Sequence, residues 1–141
     1  MPDDRLDALG SRAEITEVVV RYVRAIDRMD LEMLRSCFHP DSRHRHGSFE
    51  GSSADFCGRA MEICGQVVAT HHQIGPVSIE LAGELAFVET YFTSHHRIGA
   101  DREGAGRRDQ ARADVAVGIA IALDRHVRRG ARRRGDDDVA A

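Results

Sequence analysis

Asp27 is the first residue in this chain whose setting suggests chemistry. Ile15, Val18, Val19, Tyr22, Val23 and Ile26 recur at helical spacing between Ser11 and about Met29. Asp27 lies one residue past Ile26 and four past Val23, so it continues the apolar stripe instead of facing water. A carboxylate there carries a desolvation cost unless it is paired or lines a cavity. Tyr22 lies on the same broad face. Two histidine pairs, His71-His72 and His95-His96, stand at the near ends of two segments that read as paired strands. Adjacent strand residues point to opposite faces, so only one histidine of each pair can look into a given pocket. Histidine titrates near neutral pH, and a carboxylate beside it fixes its tautomer and raises its basicity. That combination suits proton abstraction. The plainer reading is an exposed Asp at a fraying helix end with surface histidines at strand ends; convergence of the three groups separates the two.

Other chemistries find less support. His44-Arg45-His46 adds two more histidines, but no Cys or His pair has the spacing of a structural zinc site, and no HExxH motif occurs. Gly104-Ala105-Gly106 lacks the preceding strand and following helix of a phosphate site. Cys37, Cys57 and Cys64 form no disulfide framework and read as reduced thiols of a cytoplasmic protein. The 141 residues amount to one domain. A formal charge of -3 argues against a general nucleic-acid binder. No apolar run is long enough to span a membrane, and the acidic start Met1-Pro2-Asp3-Asp4-Arg5 does not read as a secretory signal.

The elements that must position these groups are legible in the pattern. Ser11 and Glu14 form a capping box at the start of the first predicted helix. Asp30 caps a second helix over Leu31 to Phe38, stopped at His39-Pro40. Residues 41–53 read as a loop with room for a short strand, and a third helix is predicted from Ser53 or Ala54 to about Ala69. Val77, Ile79 and Leu81 alternate as a half-buried strand, Ala82-Gly83-Glu84 turns, and Leu85 to Ile98 makes a longer antiparallel strand. Beyond Phe92 there is no aromatic residue, and ten of the 20 arginines fall in the last 41 residues. There, Val115 to Val127 is the segment fit for a buried strand or helix. The chain thus divides into a domain over 1–127 and a charged tail over 128–141 that reads as solvated or disordered.

Four stretches in order, Ala25-Ile26-Asp27-Arg28-Met29-Asp30, Phe38-His39-Pro40-Asp41, Thr70-His71-His72-Gln73-Ile74-Gly75 and Ala86-Phe87-Val88-Glu89-Thr90-Tyr91-Phe92, make the chain resemble the SnoaL-like branch of the nuclear transport factor 2-like superfamily. The resemblance covers about residues 8 to 98 and looks most like the scytalone dehydratase and bile-acid dehydratase group. It implies an α+β cone, a curved antiparallel sheet wrapped around three helices, and an enzyme that needs no cofactor and no metal. By motif position it implies catalytic roles for Asp27, His72 and His96, with His95 as the fallback for His96. Tyr22 occupies the place of a pocket tyrosine, and Tyr22, His95 and Tyr91 make up the candidate substrate-binding set. Pro76 departs from the pattern where relatives often carry asparagine, and the arginine-rich end resembles a GC-rich gene read out of frame. The implied function is a dehydratase-type lyase, or an isomerase, acting on an apolar cyclic ketone or alcohol. The alternative is a non-catalytic ligand-binding or structural subunit of the same fold. A homo-oligomer, dimer or trimer, is expected because both faces of the Leu85 to Ile98 strand carry apolar side chains.

Overall fold

The structure, a computed structural model, describes residues 2–98, 110–112 and 119–122, with the backbone alone at residues 2–3, 110–112 and 119–122. Helix α1 runs Pro2–Asp27, starting nine residues before the predicted Ser11. Pro2 suits a first helical turn, and Asp4 suits the positive end of the helix dipole. Ser11 is therefore interior: it is 5% exposed and its hydroxyl donates to the Asp7 carbonyl at 3.0 Å, so the predicted capping box does not form. The far end is abrupt. Met29 takes a left-handed conformation (φ 55), and the Asp30 amide reaches back to the Ala25 carbonyl at 2.9 Å. This left-handed closure ends the helix on Asp27 and frees its side chain to turn toward the sheet.

Asp30 caps α2 (Leu31–Arg35), its carboxylate accepting the Met33 amide at 2.9 Å. Residues 36–38 continue as tight turns, with Phe38 N–H to Arg35 O at 3.2 Å, so the regular helix stops short of the predicted Phe38. The stretch expected to be loop with room for a short strand is a hairpin, β1 (Arg43–His46) and β2 (Phe49–Ser52), closed by a two-residue turn in which Gly47 has φ 58. Ser52 then caps α3 (Ser53–Cys64), accepting the Asp55 amide at 3.1 Å. Gly65 follows directly, so α3 ends before the predicted Ala69.

Strand β3 (Ala69–Ala82) starts eight residues ahead of the predicted Val77 and carries His71 and His72 within it. A two-residue turn containing Gly83 (φ 61) leads to β4 (Leu85–Arg97). The two strands pair antiparallel with His72 opposite Ser94, His71 opposite His95 and Thr70 opposite His96; the register shifts between Ile74 and Val77, around Pro76. Proline is accommodated because β3 is an edge strand among the described residues. On its other side β4 pairs with β5 (Gln110–Arg112) and β6 (Ile119–Ala122). A buried strand or helix was expected within Val115 to Val127, and strand β6 lies there; the tail over 128–141 lies outside the described residues.

Two apolar clusters fasten helices to sheet. Ile15 and Val19 of α1 pack with Ala86 and Val88 of β4, flanked by Ile74, Val77, Ile79 and Leu81 of β3. Ala25 and Ile26, at the other end of α1, pack with Leu34, Phe56, Cys57 and Ala60. The first cluster fixes α1 across the hairpin strands. The second holds its last turn against α2 and α3, and Asp27 directly follows Ile26 of that cluster.

Candidate active site

Asp27 meets His72 at two points. Its Oδ1 lies 2.7 Å from His72 Nδ1, and its Oδ2 accepts the His72 backbone N–H at 2.9 Å. The carboxylate only accepts, so Nδ1 carries a proton, and in the neutral form of the ring the lone pair is at Nε2. The backbone contact does a second job: it ties the carboxylate to the strand residue that carries the ring. The side chains are 20% and 11% exposed, so the pair is shielded without being sealed. Oδ2 also lies 3.9 Å from Nδ1 of His71, but that ring points outward and is 71% exposed.

The register of β3 and β4 decides which second histidine joins the pair. Thr70, His72, Phe92, Ser94 and His96 share the inner face. The His96 ring stands 6.0 Å from that of His72, nearly perpendicular to it, and the Phe92 ring is 5.9 Å away. Ser94 Oγ lies 2.6 Å from His96 Nε2. The Thr70 hydroxyl is buried beside them with no hydrogen-bond partner among the described residues. His95 belongs to the opposite face, where it stacks on His71 at 6.4 Å. Tyr91 is on that outer face too, 58% exposed. Assigning His95 and Tyr91 to the substrate-binding set is therefore corrected: alternation along β4 turns both away from Asp27. Tyr22 stays inside, edge-on to Phe38 at 5.9 Å and stacked with Phe56 at 6.5 Å. Burial, and then the neighbouring thiols of Cys57, Cys64 and Cys37, push its phenol above the ordinary tyrosine range, so it remains a proton donor.

Ser94, Thr70 and Phe92 escaped the sequence reading. The available signal was parity: each lies two or four residues from a singled-out histidine on the same strand. Burial raises all three thiols, which are free. Among the described residues no three His, Cys, Asp or Glu side chains converge as metal ligands, and no helix is long and apolar enough to cross a membrane.

Three helices against an antiparallel sheet, with a carboxylate-histidine pair at their junction, define an α+β protein of the cystatin-like cone class. A model of the SnoaL-like domain matches residues 7–134, and the chain belongs to that family. No curated protein matches it. Among solved structures it is similar to a nuclear transport factor 2-like protein with a cystatin-like fold from Novosphingobium aromaticivorans, at 20% identity over 77% of this chain and 70% of that one, TM-score 0.60. A provisionally named scytalone dehydratase from the same organism is 19% identical over 88% and 93% of the two chains, TM-score 0.59. A hexachlorocyclohexane dehydrochlorinase from Novosphingobium barchaimii is 13% identical over 84% and 94%, TM-score 0.55. These likenesses bear on the fold.

Proposed function

We propose that the protein is a cofactor-free lyase of the dehydratase type, with Asp27, His72 and His96 as its catalytic groups. The observation that carries this reading is the two-point contact of Asp27 with His72, which leaves Nε2 as a base. In the proposed reaction Nε2 takes the proton next to a carbonyl. The electron pair of that C–H bond forms the new double bond, the carbon–oxygen bond at the next carbon breaks, and hydroxide departs as water after taking a proton. His96, held at Ser94, is placed to supply that proton or to polarise the carbonyl. Tyr22, kept protonated, is a further donor. The Thr70 hydroxyl, buried and unpartnered beside His96, is assigned to the substrate oxygen.

The substrate class that suits these groups is a mostly apolar cyclic ketone or alcohol, since Phe92, Phe56, Phe38 and Tyr22 offer ring faces and the polar groups are few. Two of the solved neighbours carry the names dehydratase and dehydrochlorinase, and both names denote eliminations; this supports the reaction class. The test is a panel of cyclic β-hydroxy ketones, with loss of water followed by the ultraviolet absorbance of the enone. Turnover that falls by about 10³-fold or more in both Asp27→Asn and His72→Ala supports the reading. Turnover retained in both removes it.

We place the protein in the cytoplasm, in keeping with its three free thiols. It is also proposed to be a homo-oligomer, a dimer or trimer. Leu85, Phe87 and Tyr91 lie on the outer face of β4, 53%, 56% and 58% exposed, and β4 is paired along both edges, so only its face is left to cover.

A further inference from the structure

A second group of rings stands apart from the pair of Asp27 and His72. His44, on β1, lies over Phe56 with ring centres 3.6 Å apart and planes 26° from parallel. Phe38 meets it edge-on at 5.4 Å, and His46 stacks behind it at 6.1 Å. Phe38 and Phe56 in turn hold Tyr22. Tyr22, Phe38 and Cys64 pack against the same apolar cluster as Phe56 and Ile26, the residue that precedes Asp27. The ring group and the catalytic pair are thus two ends of one neighbourhood under α1. Within it the His44 Nε2 atom is buried and has no hydrogen-bond partner among the described residues.

Such an atom is costly. A neutral imidazole has one N–H and one lone pair, and a nitrogen removed from water without a partner forfeits its hydration in either tautomer. Native interiors rarely leave such a group unpaired without a use for it. Burial, and secondarily His46, lower the His44 pKa from 6.5 to about 4, so the ring is neutral at physiological pH. It is a hydrogen-bonding group and not a cation there. An apolar stack ending in one neutral polar atom suits a flat, apolar cyclic molecule that carries a hydroxyl or a keto oxygen at one position.

Resting on the elimination reading above, we propose that His44 is the specificity-determining residue at the far end of the substrate site. Its Nε2 hydrogen-bonds an oxygen substituent of the ring system, so that the reacting carbon is presented to His72. The role is one of binding and orientation; no bond is made or broken at His44. The same atom predicts a selectivity. A ligand with a hydroxyl should bind better than the hydrocarbon of equal size, and the margin should vanish when His44 loses its nitrogen.

The test uses the full chain with 1-tetralol and tetralin, which share a carbon skeleton and differ by one hydroxyl. A hydroxyl can donate or accept, so it serves either tautomer of His44. Binding is followed by titration, together with the nitrogen resonances of His44 in labelled protein. The expected result is a shift of His44 Nε2 on saturation with 1-tetralol. In His44→Phe, affinity for 1-tetralol should fall about tenfold, with tetralin within about twofold of the parent protein. His44→Gln, which keeps a polar end on a flexible stem, should recover part of the loss and covers the case in which the phenylalanine variant does not fold. An unshifted Nε2 at saturation, equal loss for both probes, or no binding of either overturns the proposal. Asp27→Asn read in parallel separates the two ideas. His44-dependent binding with no dependence of turnover on Asp27 sinks the elimination reading and leaves His44 as a ligand-binding residue.

Discussion

Replacing Asp27 by asparagine tests the central geometry without needing a substrate. Asparagine has nearly the same shape, but one of its two terminal atoms donates instead of accepting. Two hydrogen bonds must be satisfied: the His72 amide, which only donates, and His72 Nδ1, which can do either. The side chain therefore settles with its oxygen on the amide and its NH2 toward Nδ1. Nδ1 must then present a lone pair, and the ring proton moves to Nε2. The base is lost by a change of tautomer with little change of position. The stability cost is that of exchanging a charge-assisted bond for a neutral one, about 1 kcal/mol. The same amide replacement in a serine-protease triad costs about 10⁴ in turnover by the same tautomer argument, which corresponds to about 5 kcal/mol of barrier. Nitrogen NMR of labelled protein reads the outcome directly. In the parent, Nε2 of neutral His72 should be pyridine-like and Nδ1 protonated; in Asp27→Asn the two should exchange character while the melting temperature falls only slightly. A His72 whose Nε2 stays pyridine-like in the variant refutes the assignment of Asp27 as the group that sets the tautomer.

Acid should destabilise the fold through His44. Its pKa is held at about 4 against 6.5 for an ordinary histidine, so the unfolded chain binds a proton that the native chain refuses. Stability conferred by the neutral ring is complete above pH 6.5 and falls between 6.5 and about 4. Taken at full weight the difference is about 3 kcal/mol. The ring is only half-buried, and screening reduces this to about 1–2 kcal/mol; denaturant unfolding at pH 7 and pH 4.5 should show that loss, and His44→Phe should reduce it. Met29→Val should cost about 1–2 kcal/mol more than Met29→Gly, because a β-branched residue tolerates the left-handed conformation worst; equal melting temperatures would contradict that account of how α1 stops at Asp27. Phe87→Glu, on the exposed face of β4, should shift light scattering toward monomer with the melting temperature of the monomer itself unchanged. A parent protein that is already monomeric at micromolar concentration sinks the oligomer.

The helical stripe from Ile15 to Ile26 was legible because burial of one helix face imposes a period near 3.6 on any sequence that folds that way. The Asp30 cap was legible for the same kind of reason, since a short side-chain oxygen before a helix has a local partner to satisfy. The false capping box at Ser11 shows the limit. Ser11 and Glu14 have the right spacing, but nothing in Leu6 to Gly10 forbids helix, and α1 simply runs through. The hairpin of β1 and β2 was hidden because Arg43-His44-Arg45-His46 carries no apolar alternation; its strands are held by the Gly47 turn and by the packing of His44 and Phe49 against Phe56.

For the site, the sequence alone showed that Asp27 continues the apolar stripe of a helix and that at most one histidine of each pair can look into a given pocket; whether the three groups meet was left open. These are consequences of local geometry, of a period of 3.6 in the helix and of two in the strand. It could not determine which of His95 and His96 faced inward. That choice depends on the pairing of β3 with β4, and a slip of one residue reverses every side chain on the strand. Only the tertiary structure, by setting His72 opposite Ser94, put His96 beside the pair and sent His95 and Tyr91 to the outer face. The burial of His44 Nε2 is likewise a tertiary fact, because Phe38, Phe56 and β1 come together from three separate elements, and no local pattern records their meeting.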